Sequence, residues 1–339
     1  MSQMYDVSIL VPVYKVEGQI ERCAHSLFGQ SFQSIEYIFV DDASPDQSIA
    51  YLERILEKYP ERKEHVTILH HDQNEGLWKA RTTALRAAHG EYIWCVDSDD
   101  FIAADAVEKL YNAALQGNAD LVTCNFADVY PNGTLHERLR KVPGKKKFLQ
   151  EILAGKLLPC LVLLFCKRTI YTDYDILPVP NVNFGEDYGL TPRLIAKADI
   201  IVSIPDILYF YVHDNVGSYC SVWKNDYIQQ RTLVLNALNK FFKDSDPVYK
   251  ECINRNIIRM KCHFYRMYAA SNKPDPADLR KINEWHAEIP LGKLVKMASL
   301  PYKPAILLGT LHWDFCLRYY IKTCRFIYRK LIKISSFFA

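Results

Sequence analysis

Within the first 126 residues, five short runs rich in β-branched and aromatic residues alternate with segments of helical period. The runs are VSILVPVY (7–14), IEYIFVDD (35–42), VTILHH (66–71), EYIWCVD (91–97) and DLVTCNF (120–126), and the helical segments are 18–29, 46–58, 77–88 and 103–116. A strand that is apolar throughout, rather than alternating, must be covered on both faces. Repeated strand–helix units meet that need by laying helices on both sides of a mostly parallel sheet, so the fold class is α/β. Ligands of such sheets bind beyond the carboxyl ends of the strands. The polar residues that follow each run are where chemistry is expected.

The rest of the chain is less regular. Residues 127–160 include YPNGTLHERLRKVPGKKKF, with Pro, Gly and a basic cluster, and read as a loop or β-excursion. Strand-like runs return at 160–166 and 200–212, with a helix expected over 186–197 between them. Beyond residue 225, DYIQQRTLVLNALNKFFK and NRNIIRMKCHFYRMYAA carry apolar residues at three- and four-residue spacing, which predicts helices. No internal repeat or low-complexity tract is visible.

A composition of 49% hydrophobic and 24% charged residues is that of an ordinary globular protein, and a net charge of +3 is too small to argue for a nucleic-acid partner. The ten cysteines include no CxxC pair, so no zinc ribbon or thioredoxin-type motif is read. Several (Cys95, Cys124, Cys160, Cys166) lie in apolar runs, as buried free thiols do in a reducing compartment. The opening MSQMYDVSILVPVY has no basic region followed by a long apolar core, so no signal peptide is expected. The longest apolar run, 157–166, is shorter than the about 20 residues that span a bilayer. A cytoplasmic location is the expectation.

Three strand ends are followed by acidic or polar groups. Pro12, Tyr14 and Glu17 follow the first, Asp41, Asp42, Ser44 and Asp46 the second, and Asp97, Asp99 and Asp100 the fourth. A single Ser44 or Asp46 there is as well explained by helix N-capping. Three acidic clusters on one sheet edge are harder to explain that way, because like charges repel and raise one another's pKa. A divalent cation carrying a phosphate ligand compensates them naturally. Carboxylate oxygens suit Mg²⁺ or Mn²⁺, which take few protein ligands and let substrate phosphates complete the shell.

Four blocks, VSILVPVYKVEGQIERCAHSLFGQSF, IEYIFVDDASPDQS, NEGLWKARTTAL and GEYIWCVDSDD, together resemble the family-2 type of inverting glycosyltransferase, with its GT-A fold. The resemblance is dense over residues 5–126 and thinner over 180–220. It implies that Pro12, Tyr14 and Glu17 line a nucleotide pocket. It implies that Asp42, with Asp41 beside it, lies near base and ribose, that Asp97 faces the nucleotide-sugar, and that Asp99 ligates the metal. Arg81 would lie near the diphosphate or support the acidic cluster; a surface helix arginine is its bland alternative. Thr82 and Ala84 stand where the family usually has Asn and Gly, and Trp78 is bulkier than usual, which implies a reshaped donor pocket.

In NFGEDYGLTPRLI (183–195), Glu186 and Asp187 open a helix. Acidic residues are favourable at a helix N-terminus in any case. The resemblance implies more: an ED pair here carries the catalytic base, with Asp187 the first choice and Glu186 supporting it or touching the acceptor. Inversion by direct displacement needs a carboxylate within hydrogen-bonding reach of the acceptor hydroxyl. LYFYVHDNVGSYCS (208–221) is similar to the family segment that closes over the diphosphate, making His213 a candidate metal or phosphate contact and Ser218 a weaker phosphate contact.

The expected organisation is a GT-A domain over 1–222 (nucleotide-sugar half 1–126, acceptor half 127–222), a helical region over 223–314, and a basic helix over 315–339. That last stretch holds six basic residues and no acidic one, and Arg318, Lys322, Arg325, Arg329 and Lys333 form one helical stripe. It reads as an interfacial membrane helix or as a helix docked on the protein's own core. Residues 300–313 are a candidate extension of the same surface. The expected activity is metal-dependent transfer of a sugar from a nucleotide-sugar, with UDP favoured over GDP or dTDP, to a glycan or lipid-linked acceptor. Two alternatives stand beside it. A nucleotidyltransferase should carry a Gly-rich, Arg-containing loop after the first strand, which VPVYKVEGQ is not. A non-catalytic sugar-nucleotide or glycan-binding subunit would not need Asp42, Asp97, Asp99, Glu186 and Asp187 together.

Overall fold

The computed structural model describes residues 5–139, 142–213, 224, 226–270, 275–290, 292, 295, 296 and 303–310. Strand β1 (Val7–Val13) lies at the centre of a parallel unit with β2 (Ile35–Asp41), β3 (Val66–His70) and β4 (Tyr92–Cys95), in the order β3-β2-β1-β4. All seven residues of β1 and all seven of β2 are buried. Alternate side chains enter different cores. Val7, Ile9, Val11 and Val13 pack on one face, with α1 (Ile20–Phe28) and α2 (Ser48–Leu56), while Leu10 joins the other. This period of two on a strand apolar throughout is what requires helices on both sides. Helix α1 answers with Ile20, Cys23, Ala24, Leu27 and Phe28, which form one buried face at helical spacing.

The parallel register is confined to this unit and to one further pair. Beyond β4 the sheet continues through β8 (Leu164–Lys167), β6 (Leu121–Val129), β9 (Ile201–Val212) and β5 (Phe101–Ile102), with β7 (Leu135–Arg138) pairing off β6. Here β4–β8, β6–β8, β6–β7 and β5–β9 are antiparallel, and only β6–β9 is parallel. The expected mostly parallel sheet thus holds for the first half, while the second half is mixed. The β6–β9 ladder is interrupted between Thr123 and Phe126. Pro205, inside β9, has no N–H to offer the ladder, and its carbonyl instead receives Asn125 Nδ2 at 2.7 Å.

Helix α3 (Leu77–Ala87) joins β3 to β4, and α4 (Ala106–Gly117) packs on the α1 side. Helix α5 (Lys145–Leu153) occupies part of the stretch read as irregular; it buries Phe148, Leu149, Ile152 and Leu153. Its first turn is Lys145, Lys146 and Lys147, the charge opposite to what a helix N-terminus favours, which is why the segment does not read as a helix start. A short α6 (Arg168–Thr172) precedes α7 (Glu186–Lys197). The later helices α8 (Tyr227–Phe241), α9 (Pro247–Ala270) and α10 (Pro276–Glu284) share one continuous core with α3, α5 and α7. Helix α11 (Lys303–Thr310) packs against α9 and α10, so this part of 300–313 docks on the protein. Residues 315–339 lie outside the described residues. Among the described residues, no helix is long and apolar enough to cross a membrane.

Candidate active site

The parallel register brings the carboxyl ends of β1, β2 and β4 to one edge. Val13 pairs with Asp41, and the amide of Asp42 donates to Val13 O at 3.0 Å. On β4, the amide of Val96 donates to Leu10 O at 3.0 Å, which puts Asp97 at the same edge. After β1, Pro12 is buried while Tyr14 is 39% exposed, an aromatic face open at the strand end. Glu17 is tied to the next crossover: its Oε2 receives the Gln47 amide at 3.1 Å, and its own amide donates to Asp46 Oδ2 at 3.1 Å. Burial raises the Asp46 pKa, but hydrogen bonds from Ser48 and Ser44 outweigh it and hold the carboxyl below its ordinary value.

Asp41 receives the Ser44 amide at 2.8 Å and lies 3.0 Å from His70 Nδ1. Asp42 is 3% exposed and organises the turn before α3. Its carboxylate accepts from Asn74 Nδ2 at 2.9 Å, the Glu75 amide at 2.9 Å and the Gly76 amide at 2.8 Å, and lies 2.7 Å from His71 Nδ1. This turn fixes the start of α3 and, one helical turn on, Arg81.

Arg81 joins the two halves of the sequence. Its Nη2 lies 3.0 Å from Asp97 Oδ1 and 3.4 Å from Glu186 Oε1, and the residue is 3% exposed. Burial alone would lower its pKa, but Asp97, Glu186 and Asp187 overcome this and raise it, so the guanidinium is charged. The surface-helix alternative for Arg81 is thereby excluded. On the other side, burial pushes the Glu186 carboxyl up against the opposing pull of Arg81. Burial and then the neighbouring Glu186 push Asp187 well above its ordinary range. Asp187 Oδ1 is buried and accepts no hydrogen bond. A buried carboxylate oxygen without a partner is uncommon in a folded chain.

The three acids of DSDD divide by environment. Asp97 faces Arg81 with its side chain 30% exposed. Asp99 is half-buried, and its backbone carbonyl receives Arg22 Nη2 at 2.8 Å. Asp100 is fully buried and structural: Tyr209 OH donates to it at 2.6 Å and the Val212 amide at 2.8 Å. Burial first, then Asp99 and Asp97, push the Asp100 carboxyl well above its ordinary value. Its bonds draw the end of β9 to the end of β4.

That closure brings His213 near the edge but leaves its Nε2 engaged, 2.9 Å from Asp128 Oδ1, with its ring stacked on Tyr130 at 4.6 Å. Ser218 lies outside the described residues. Among the described residues, no group of three or more His, Cys, Asp or Glu is arranged to hold a metal by itself. The donor set nonetheless suits a hard divalent cation. Asp99, half-buried at the end of β4, carries the carboxylate chemistry such a cation takes, and a cation that takes one or two protein ligands and draws the rest from a diphosphate needs few.

Sequence reasoning did not find Asn183, Tyr209, Gln230 or Arg22. Tyr209 sits inside a strand-like apolar run and Gln230 within an ordinary helical pattern, so neither stands out. Asn183, three residues before Glu186, had proximity as its only signal.

The family model described as glycosyl transferase family 2 matches residues 8–167. The chain is 27% identical over 286 residues to the glycosyltransferase EpsJ of Bacillus subtilis, covering 81% of each. It is 33% identical over 184 residues to a glycosyltransferase of Haemophilus influenzae, covering 54% of this chain and 69% of that relative. Among solved structures, residues 1–349 of TarS from Staphylococcus aureus, in complexes with UDP and with UDP-GlcNAc, align with a TM-score of 0.67 at 20% identity, over 94% of this chain and 91% of the other. TarS is named a poly(ribitol-phosphate) β-N-acetylglucosaminyltransferase. The structural likeness establishes the GT-A fold.

Proposed function

The chain belongs to glycosyltransferase family 2, and from that premise we propose that it transfers a sugar, with inversion, from a UDP-sugar to a hydroxyl of a glycan or lipid-linked acceptor in cell-surface polysaccharide synthesis. The observation that carries this reading is the Arg81 bridge. One guanidinium nitrogen lies within 3.4 Å of both Asp97 and Glu186, which supports reading the DSDD acids and the ED pair as parts of one site. UDP as the nucleotude carrier is supported by the fold shared with TarS, which binds it.

In this reading Pro12, Tyr14 and Glu17 frame the nucleoside end of the donor, with Asp41 and Asp42 beside them. Asp97 faces the nucleotide-sugar, with Arg81 holding its orientation. Asp99, joined by His213 if its Asp128 contact is exchanged, is the protein ligand for Mn²⁺ or Mg²⁺. When bound, that ion supplies neutralisation of charge on the departing diphosphate. Asp187 takes the proton of the acceptor hydroxyl as the oxygen attacks the anomeric carbon, and Glu186 steadies Asp187 and reaches toward the acceptor. Its raised pKa makes Asp187 a stronger base than an exposed aspartate, and holding acceptor and donor together supplies much of the remaining rate. Catalysis is assigned to residues 1–222, with 223–314 as a buttress.

The test is calorimetric titration with UDP, with and without Mn²⁺, of wild type and Asp99→Asn, followed by screening UDP-sugars for turnover. Metal-dependent binding that the variant loses supports the reading. Failure of a folded wild type to bind UDP, GDP or dTDP with metal would overturn it.

A further inference from the structure

We propose that Gln230, on α8 and outside the strand edge that carries the chemistry, is a positioning residue that sets the turn presenting Glu186 and Asp187. This rests on the reading of Asp187 as the base. Gln230 is 5% exposed, and its Oε1 accepts two backbone N–H groups, from Asn183 and Phe184, both at 2.7 Å. Its Nε2 donates to Asp226 Oδ2 at 2.6 Å. The amide can be placed only one way: a carboxylate must receive N–H, and two N–H groups must meet oxygen.

Two neighbours on the same helical face complete the grip. Tyr227, Gln230 and Arg231 follow the i, i+3, i+4 spacing that puts side chains side by side. The Tyr227 ring stacks on Phe184 at 3.9 Å, 6° from parallel. Arg231 closes the space under Gly185, where a Cβ would lie 2.7 Å from its Nη1. Arg231 is itself held by Asn256 at 2.8 Å and lies over the Tyr188 ring at 4.1 Å. Gly185 has φ +76°, the left-handed conformation that sets the entry into α7. On the opposite side, Asn183 Oδ1 accepts from the Trp78 amide at 3.2 Å, tying the turn to α3 and hence to Arg81. The segment 183–187 is thus clamped from α8 on one side and α3 on the other. A base misplaced by about 1 Å can lose on the order of 100-fold in rate.

The experiment uses the full-length chain in three forms: Gln230→Ala, Gln230→Glu, and Gln230→Glu combined with Asp226→Asn. A glutamate can accept both N–H groups but faces the Asp226 carboxylate, whereas asparagine at 226 restores a donor. Three quantities are read. The first is kcat for the UDP-sugar that wild type turns over fastest, and the second is UDP affinity by calorimetry. The third is hydrogen exchange of the 183–187 amides, which needs no substrate. The expected result is a kcat lowered by roughly 10- to 100-fold in both single variants, UDP affinity within about twofold of wild type, and faster exchange confined to 183–187. The double variant recovers kcat to within a few-fold. Should Gln230→Ala fail to fold, the near-isosteric glutamate pair carries the test. Wild-type kcat and exchange in a folded single variant overturn the proposal, as does a parallel loss of kcat and UDP affinity that the double variant does not reverse. Asp187→Asn is assayed alongside. If it retains wild-type kcat, the base assignment itself fails; if it is inactive while the Gln230 variants are not, only the positioning role fails.

Discussion

Arg81 Nη2 reaches Glu186 Oε1 at 3.4 Å across 105 positions of sequence. Of the groups that converge at this point, Asp97, Glu186 and Asp187 all raise its pKa, so one buried cation is set against three acids. Removing one partner of a buried pair leaves uncompensated charge, typically at a cost of about 3–5 kcal/mol. Arg81→Met is expected to lose about 3 kcal/mol at neutral pH, near the low end because Glu186 and Asp187 can take up protons. The same uptake makes the deficit shrink as pH falls. Urea denaturation at pH 7.5 and about pH 5 measures both effects. Equal stability of variant and wild type at the higher pH would refute the bridge.

The raised carboxyl of Asp187 gives opposite signs for stability and for activity. Burial, then Glu186, favour the protonated form above the ordinary value of 3.8. The folded state therefore holds a proton that the unfolded chain releases, and stability falls as pH rises through the raised pKa. A base must be unprotonated, so kcat climbs over that same interval. Asp187→Asn should lower kcat by on the order of 1,000-fold and flatten the decline in stability. A kcat–pH profile and denaturation across the same pH range check this. An acid limb in the ordinary carboxylate range would contradict the raised pKa.

Much of this was legible in the sequence, for physical reasons. A strand buried on both faces must be apolar throughout, so β1, β2 and β4 declare themselves, and the acids that follow them stand out against that background. The ED pair stood out through the family resemblance, because acids that open a helix are favourable there in any case. What the sequence did not disclose is which acids face outward: Asp100 and Asp99 are adjacent, but only the fold gives Asp100 the Tyr209 hydroxyl and the Val212 amide. Helix α5 was hidden by its three leading lysines, and the mixed second half of the sheet by strands whose pairing depends on distant partners. Gln230 was hidden because a glutamine on a helix carries no sign of the backbone it will hold.

The basic stripe of 315–339 lies beyond the described residues. An interfacial helix rich in Lys and Arg gains from anionic lipid as well as from apolar burial. Deleting 315–339 is expected to move the protein from the membrane fraction to the soluble one, and to abolish salt-sensitive sedimentation of the full chain with vesicles containing anionic lipid. Unchanged partitioning after deletion would mean that the segment docks on the protein instead.

Asp42 supplies the last test, because its carboxylate is occupied from within. Four groups of the turn 71–76 converge on it between 2.7 and 2.9 Å. In Asp42→Asn one oxygen becomes an NH₂ that faces donors, so at least one backbone amide of the turn loses its acceptor. Hydrogen bonds to a charged group are worth about 1.5–3 kcal/mol, and a stability loss of about 2 kcal/mol is expected. The turn leads into α3 and positions Arg81, so UDP affinity should fall together with stability. Denaturation and calorimetry on the same preparation decide it. A loss of UDP affinity at unchanged stability would instead mean that Asp42 touches the nucleoside directly and contributes little to holding the turn.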